Sequence, residues 1–388
     1  MERPGLGVLA AIVLLAVNLR TVIASLPPLL ADVRADLGLS ATVAGLLTTL
    51  PVVCFGALAL VGPRLARRVP LERVLVACAV ATAVGAALRG LESAPALFAG
   101  SLLAGAAVGI GQATLPVLIR LAFPAATGLL TGAYSMALPL GATLGSGAAV
   151  PLARAFGSWA ASLAAWAVPA ALAAALWAPA AFRRGTLVRG PLPAPLRGAA
   201  LAWWVAAFMG VQSMAFYAGL AWLPEILQDR GWSAGEAGAL QALSSLVSIV
   251  PAFLVPLLAA RRRAQTLVLV TIVGVAASGV VGLLAAPGAA AAWVLVLGVG
   301  QGGSLGLALI LPVLRAGGAG SVASLTAMML CLGYLMASAG PWILGAVHDV
   351  SGGWNAPLVA LLAITLLQLL PGLPAARDRE LPAAAQRV

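Results

Sequence analysis

The chain has 388 residues, of which 62% are hydrophobic and only 9% are charged, and its mean hydropathy is +1.07. Soluble globular domains are about half apolar and about one quarter charged, so this composition excludes that class of protein. Apolar runs of membrane length follow one another along the whole chain instead, which predicts an all-α membrane protein.

Twelve apolar runs are long enough to cross the roughly 30 Å of bilayer hydrocarbon as helices. We number these predicted spans 1 to 12, at residues 7–30, 41–62, 71–90, 95–119, 128–150, 159–180, 199–224, 236–258, 265–286, 290–313, 321–346 and 355–374. Prolines inside the spans remove backbone hydrogen bonds, so we expect them to kink their helices. They include Pro27, Pro51, Pro116, Pro139, Pro169, Pro251, Pro312 and Pro341.

The formal net charge is +11, and all 22 basic residues are arginine. Such a charge is also typical of nucleic-acid-binding proteins, so its distribution along the chain decides between the two interpretations. With the N-terminus inside, 17 arginines fall in cytoplasmic segments, four fall on the opposite side, and Arg20 lies within span 1. This positive-inside bias predicts a multi-pass protein of a bacterial inner membrane, with both termini cytoplasmic and no nucleic-acid partner.

The three cysteines, Cys54, Cys78 and Cys331, are scattered over three apolar spans. Their spacing fits neither a disulfide framework nor a zinc site. With one histidine and no acidic residue deep in a span, metal or acid–base catalysis lacks its usual groups. We therefore expect no cofactor, no metal and no enzymatic activity.

The sequence contains an internal repeat. DLGLSATVAG at 36–45 matches DRGWSAGEAG at 229–238 with an offset of 193, which places Ser40 and Ser233 as N-caps of spans 2 and 8. GIGQ at 109–112 matches GVGQ at 298–301, and GSW at 157–159 matches GGW at 352–354. Six spans separate each pair, so the two halves have the same orientation. We predict six-helix bundles at 1–180 and 199–388, a cytoplasmic linker at 181–198, and a substrate site between the bundles.

Arg20 is the one charged residue in the middle of an apolar run. A cation at the bilayer centre costs from about 3 to more than 10 kcal/mol, so it persists where it lines a watery cavity or has a partner. No aspartate or glutamate lies deep in another span to pair with it, and its planar guanidinium suits a carboxylate or another small anion. We predict an anion-binding site here; the alternative is a structural arginine that satisfies backbone carbonyls.

Neutral polar residues within the spans are further candidates for substrate contacts, and helix packing is the alternative role for each. Gln112 and Gln301 are related by the repeat, and Gln241 begins a polar stripe in span 8. Asn18 lies about 200° around the helix from Arg20, which favours an interhelical hydrogen bond. The predicted substrate-binding set is Arg20, Asn18, Gln112, Gln212, Tyr217, Gln241, Gln301 and Tyr334.

Several segments together resemble one family: NLR at 18–20, DLGLS before span 2, WAASLAAW at 159–166, FMGVQSMAFYAGLAWLP at 208–224, and the segment from His348 to Trp354. With them the chain resembles the major facilitator superfamily, and more narrowly its cyanate / 2-nitroimidazole transporter family. The resemblance implies twelve transmembrane helices in two pseudo-symmetric six-helix bundles, and transport by alternating access. Ala66 departs from the family pattern, because the loop between spans 2 and 3 usually carries an acid there.

Two functions stay open. The first is secondary active transport of a small monovalent anion such as cyanate, with Arg20 as counter-ion and with protons or a counter-substrate as possible coupling partners. The second is export of neutral or cationic drug-like compounds, because Gly132, Gly141 and Gly145 in span 5 partly resemble the glycine motif of antiporters. Ser146 replaces the proline of that motif. In either case we expect a monomer in the lipid bilayer.

Overall fold

The structure is a computed structural model that describes residues 6–59, 65, 68–123, 126–183, 185–187, 199–316 and 319–381. Within these ranges every regular element is helical. Twelve helical segments there are long and apolar enough to cross a membrane. The predicted all-α fold with twelve transmembrane helices is therefore confirmed.

The helices of the first six spans are Leu6–Ala24 with Leu30–Leu37, Ala41–Ala59, Leu71–Leu88, Ala94–Ala122, Thr127–Phe156, and Trp159–Ala165 with Ala167–Arg183. Those of the last six are Ala200–Asp229, Ala234–Val247 with Ile249–Ala260, Thr266–Ala285, Ala290–Arg315, Ala319–Ala337 with Ala339–Ser351, and Asn355–Leu367 with Leu369–Ala376. Span 7 thus continues past its predicted end at 224, because Pro224 lies inside the helix without ending it. Ala66 lies outside the described residues.

Four spans are interrupted at a single residue that lies three positions before a proline. The interruptions fall at Trp166, Ser248, Ser338 and Gln368, before Pro169, Pro251, Pro341 and Pro371. Proline has no N–H to donate to the carbonyl four residues earlier, so the helical ladder opens there. By contrast, helices run without interruption through Pro51, Pro116, Pro139 and Pro312. Only some of the predicted kinks are therefore breaks in the helix.

Span 1 ends earlier than its apolar run. The first helix stops at Ala24 rather than at residue 30, because Pro27 and Pro28 follow in a 3-10 turn, Pro27–Leu29. The chain then continues as the helix Leu30–Leu37, which ends at Gly38 with a φ of 63°. Glycine adopts this left-handed conformation without steric cost, so it is a favourable helix end before span 2.

The helices form two compact units. Unit 1 comprises Met1–Leu39, Leu50–Leu192 and Ala234–Ala242, and unit 2 comprises Ser40–Thr49, Pro193–Ser233 and Leu243–Val388. Each has its own apolar core, which includes Ile12 and Leu75 in unit 1 and Phe208 and Leu307 in unit 2. The predicted bundles at 1–180 and 199–388 stay a prediction. Most of the predicted linker at 181–198, namely 184 and 188–198, lies outside the described residues.

Glycines allow span 5 to pack directly on span 1 in unit 1. A methyl group on Gly141 would overlap the carbonyl oxygen of Val17, and one on Gly145 would lie 2.8 Å from the carbonyl oxygen of Thr21. Small residues at this spacing let helices associate closely in lipid. In unit 2 the contact recurs at repeat-related positions, because a methyl group on Gly340 would lie 2.5 Å from the Met214 carbonyl oxygen. The sequence repeat is therefore also a repeat of helix contacts.

Candidate functional site

Arg20 is the one residue from Leu15 to Leu30 that keeps partial access to solvent. All of its neighbours in that stretch are buried, including Leu19 and Thr21 on either side of it. A charged side chain in a span is tolerated where it reaches water or a partner. Arg20 is the one position of this stretch with exposed surface from which a side chain could do so.

The packing of span 1 defines the direction in which Arg20 projects. Val17 and Thr21 face span 5 through Gly141 and Gly145, and Leu19 faces span 4, where a methyl group on Gly111 would lie 3.0 Å from its Cδ2. At about 100° per residue, Arg20 lies between the directions of Leu19 and Val17. Its side chain therefore projects into the sector between spans 4 and 5.

Asn18 and Gln112 each place a hydrogen-bonding atom in a buried position. The Nδ2 of Asn18 donates to the Leu14 carbonyl oxygen of its own helix over 2.8 Å. Among the described residues, neither the Oδ1 of Asn18 nor the Nε2 of Gln112 has a hydrogen-bond partner. Asn18 and Arg20 lie on opposite sides of span 1, so the structure does not bring these two predicted residues together.

In unit 2, span 7 presents the predicted residues on two different faces. The Nε2 of Gln301 donates to the Ala215 carbonyl oxygen over 3.4 Å and lies close to Gly219, one turn further along. The rings of Tyr217 and Tyr334 meet edge to face with centroids 6.3 Å apart, a favourable geometry for aromatic pairs. Tyr217 lies about 200° around the helix from Ala215, so Gln301 and the tyrosine pair are separate groups.

Gln212 contacts residues of its own helix. Its Nε2 lies 2.6 Å from the Oγ of Ser213, to which it donates, and 3.2 Å from the Sδ of Met209. Ser213, which the repeat places at the position of Arg20, is itself buried. At this repeat position span 1 therefore carries a cation and span 7 carries a buried hydroxyl.

Two serines of the polar stripe that begins at Gln241 on span 8, Ser244 and Ser248, pack against span 10. The Oγ of Ser244 donates to the Val294 carbonyl oxygen over 3.2 Å, and a methyl group on Gly298 would lie 2.5 Å from that same Oγ. Gly302 makes an equally close approach to the carbonyl oxygen of Ser248. The alternative packing role thus accounts for these serines, while Gln241 is buried and is grouped with unit 1.

Three arginines that sequence reasoning did not single out bind the carbonyl ends of helices. Arg89 Nη1 donates to the Val22 carbonyl oxygen over 2.5 Å, and Arg230 Nη1 donates to that of Leu283 over 2.5 Å. Arg315 Nε donates to the Ala375 carbonyl oxygen over 2.9 Å. The last carbonyls of a helix lack partners within it and favour a cation. The sequence feature that points toward the role of Arg89 is Pro27. A proline there predicts unpaired carbonyls at the end of the first helix, but it does not predict which residue binds them.

Asp349 caps the beginning of span 2 within unit 2. Its carboxylate accepts hydrogen bonds from the backbone N–H of Ala41 over 3.0 Å, from that of Thr42 over 2.7 Å, and from the Thr42 hydroxyl. The Oγ of Ser40 accepts from the N–H of Val43 over 3.3 Å, which confirms the predicted N-cap. Because an acid is unfavourable in the last turn of its own helix, Asp349 stabilises span 2 rather than span 11.

Two acidic residues are buried near the ends of spans. Glu72 accepts hydrogen bonds from the backbone N–H of Thr186 over 3.1 Å and from its hydroxyl over 2.6 Å. Glu225 follows Pro224 in span 7. In the part of the chain that the structure describes, no group of three His, Cys, Asp or Glu is placed to hold a metal ion.

Twelve apolar helical segments among the described residues, arranged in two compact units, define a polytopic membrane protein. The sequence model of the Major Facilitator Superfamily matches residues 8–338, and the chain belongs to this superfamily. The protein is accordingly a multi-pass membrane transporter and not an enzyme.

Two relatives place the chain more closely within the superfamily, and one solved structure shares its fold. The 2-nitroimidazole transporter of Escherichia coli (strain K12) is 35% identical over 96% of each chain. The cyanate transport protein CynX of the same organism is 32% identical over 89% of this chain and 91% of that protein. These relatives confirm the narrower family resemblance. A bacterial homolog of the human lysosomal transporter Spinster, crystallised inward-facing and occupied, shares the fold alone, with 14% identity and a TM-score of 0.81 over 100% of this chain and 98% of that chain.

Proposed function

We propose that this protein is a secondary active transporter of a small monovalent anion, with Arg20 as the counter-ion of the substrate. It lies in a bacterial inner membrane with both termini in the cytoplasm. Bundles at 1–180 and 199–388, joined by the linker at 181–198, give the site access to one side of the membrane at a time. A proton or a counter-substrate drives the cycle.

The partial exposure of Arg20 carries this proposal. Every other residue from Leu15 to Leu30 is buried, so Arg20 is the one residue of this stretch with exposed surface. A small anion that reaches this surface meets a planar fork of N–H donors. Charge-assisted hydrogen bonds to such a fork are about twice as strong as neutral ones, which suits it to hold an anion.

The substrates for which the two relatives are named support a solute with a negative end. Cyanate is an anion, and the nitro group of a 2-nitroimidazole carries negative partial charge on two oxygens. A guanidinium donates to either group, because both present acceptor atoms at one end of a small molecule. We extend to this chain the small size and the negative end, and we propose a cyanate-like anion as the substrate class.

Thermal unfolding of the purified protein tests the role of Arg20. The ligands are the sodium salts of cyanate, nitrate, formate and benzoate, added to the wild type, to Arg20→Ala and to Arg20→Lys. A ligand at about 100 times its Kd stabilises the folded state by about 2.7 kcal/mol, which raises Tm. We expect one anion class to raise the Tm of the wild type, little effect on Arg20→Ala, and a reduced effect on Arg20→Lys. An undiminished shift in Arg20→Ala would contradict the proposal.

The second candidate function is export of neutral or cationic drug-like compounds. The relative named for 2-nitroimidazole transport favours it, since that compound is drug-like and is not a simple inorganic anion. In this reading Arg20 is structural, and Gly141 and Gly145 serve only to pack span 5 on span 1. Tm shifts with a nitroimidazole or a cationic dye, equal in wild type and Arg20→Ala, would favour this function over anion transport.

A further inference from the structure

We propose that unit 2 carries a docking surface for an anionic phospholipid, at the end where spans 8 and 12 finish. Five exposed arginines form this surface, which we call the arginine platform: Arg261, Arg262, Arg263, Arg377 and Arg379. The first three connect span 8 to span 9, and the other two follow span 12. The inference goes beyond the proposed function and does not depend on it, because it concerns arginines outside the spans and no transported solute.

A buried glutamine holds the loop that carries the first three arginines. The Nε2 of Gln265 donates to the carbonyl oxygen of Arg262 over 2.6 Å and to that of Arg263 over 3.2 Å. The Oε1 of Gln265 accepts a hydrogen bond from the Nη2 of Arg315, which is also buried. The backbone of the loop is therefore fixed from inside the unit, while the residues that it carries stay exposed.

The segment after span 12 lies beside this loop. The N–H of Gln265 donates to the Ala376 carbonyl oxygen over 2.8 Å, so the arginines that follow Ala376 begin next to the loop. Arg315 holds the same segment at two points: its Nε donates to the Ala375 carbonyl oxygen, and its own carbonyl oxygen accepts from the N–H of Leu381, each over 2.9 Å. Hydrogen bonds thus join the two groups of arginines into one surface.

The charge of the arginine platform is positive. Two exposed acids, Asp378 and Glu380, alternate with Arg377 and Arg379. Five arginines against two acids leave a net charge of +3 among the described residues of the two segments. A positive surface at the end of membrane spans attracts anionic headgroups, and each arginine strengthens this attraction.

Apolar surface adjoins the platform and distinguishes a lipid from a soluble anion. Leu257 and Leu258 are exposed in the last turn of span 8, and Arg261 follows them by four and three residues, still in helical conformation. Residues at this spacing share one face of a helix. Leu267 at the start of span 9 and Leu370 in span 12 are exposed as well. Such side chains on membrane spans contact acyl chains, so the arginines lie at the level of the headgroups.

An anionic phospholipid fits both parts of this surface. Its phosphate accepts hydrogen bonds from the guanidinium groups, and its acyl chains lie along the exposed leucines. A free phosphate ion fits the arginines alone. A zwitterionic lipid brings a cation of its own to a positive surface, which weakens the attraction. We therefore expect a preference for a lipid with a net negative headgroup, for which phosphatidylglycerol is the probe.

Titrated Tm shifts of the purified full-length protein in a neutral detergent test the platform. The probes are dioleoylphosphatidylglycerol, dioleoylphosphatidylcholine and sodium phosphate at equal phosphate concentration. The triple variants are Arg261→Gln/Arg262→Gln/Arg263→Gln, which removes three charges, and Arg261→Lys/Arg262→Lys/Arg263→Lys, which keeps them. The single variant Arg261→Gln has Arg154→Gln as its matched control, because Arg154 is also exposed at the end of a span but lies outside the platform.

We expect phosphatidylglycerol to raise the Tm of the wild type, and phosphatidylcholine and sodium phosphate to have little effect. Each arginine contributes about fivefold in affinity, so Arg261→Gln should weaken binding about fivefold and the triple glutamine variant about a hundredfold. The triple lysine variant and Arg154→Gln should bind close to the wild type. Raising the salt from about 0.05 M to about 0.5 M should weaken binding, because salt screens exposed charges.

Several outcomes would overturn the inference. Equal Tm shifts with phosphatidylcholine would show that any lipid stabilises the protein, and equal shifts with sodium phosphate would show an anion site without a lipid. Equal losses in Arg154→Gln and Arg261→Gln would report the total charge of the protein rather than the platform. A triple lysine variant as weak as the triple glutamine variant would report an altered loop rather than lost charge.

The Arg20→Ala variant separates this inference from the proposed function. It should bind phosphatidylglycerol as the wild type does, because the platform does not include Arg20. Loss of small-anion binding with intact lipid binding in this variant would support both proposals. No lipid shift in a wild type that still binds a small anion through Arg20 would remove the arginine platform alone.

Discussion

At the residue scale, the surroundings of each arginine distinguish a ligand-binding role from a structural one. Arg89 and Arg315 are each 2% exposed, and each donates to a backbone carbonyl near the end of a helix. Arg20 keeps partial access to solvent in the middle of span 1. The sequence separated it from the others by its depth in an apolar run, and the cost of burying charge in lipid is the reason that this signal is informative.

Replacement of Asp349 tests its role as a cap. Asp349→Ala leaves two N–H groups at the start of span 2 without their acceptor, so we expect a loss of about 1 to 2 kcal/mol in the free energy of unfolding. Asp349→Asn keeps a side-chain oxygen that caps helices well, so it should cost distinctly less. Thermal unfolding of the three proteins without ligand gives the order of stability. Wild-type stability of the alanine variant would show that the cap contributes nothing.

At the element scale, small residues determine how close the spans approach and proline determines where they break. Gly141 and Gly145 bring the backbone of span 5 against that of span 1 on either side of Arg20. Four of the interruptions in the spans precede a proline by three residues. The prolines were visible in the sequence, but which of them would interrupt a helix was not, because neighbouring groups in the fold can replace the missing hydrogen bond.

Alanine in place of Gly141 tests whether this close packing positions Arg20. The new methyl group overlaps the Val17 carbonyl oxygen, so span 5 must move away, at a cost of about 1 to 3 kcal/mol. We expect a lower Tm and weaker anion binding together. Gly147→Ala is the control, because its methyl group would lie at an ordinary 3.5 Å from the Cβ of Ala242. The packing argument is wrong if both variants behave alike.

At the scale of the whole molecule, the arginine distribution and the repeat predict a chain that crosses the membrane an even number of times. Twelve helical segments of membrane length in the described chain agree with this reading. The contact of Gly145 with Thr21 inside unit 1 has its equivalent inside unit 2, where Gly340 contacts Met214. The two units do not coincide with the two halves of the sequence, since Ser40–Thr49 belongs to unit 2 and Ala234–Ala242 belongs to unit 1. No local pattern in the sequence predicted where these two segments belong.

Reporter fusions test the predicted orientation. Green fluorescent protein fused after the last residue, Val388, should fluoresce, because that protein folds in the cytoplasm. Alkaline phosphatase fused after Gly157, between spans 5 and 6, should be active, because that enzyme folds on the outer side. The positive-inside distribution of arginine is the physical reason for this expectation. Inverted activity of both fusions would place the termini outside.

The sequence by itself determined the fold class, the number of spans, the repeat and the unusual position of Arg20. These follow from hydropathy, spacing and charge, which act locally and are therefore legible along the chain. Only the tertiary structure decided which polar groups meet. It turned Ser244 and Ser248 toward span 10, and it separated Gln301 from the tyrosine pair. Such contacts depend on helix register and rotation, which arise from close packing between segments far apart in sequence.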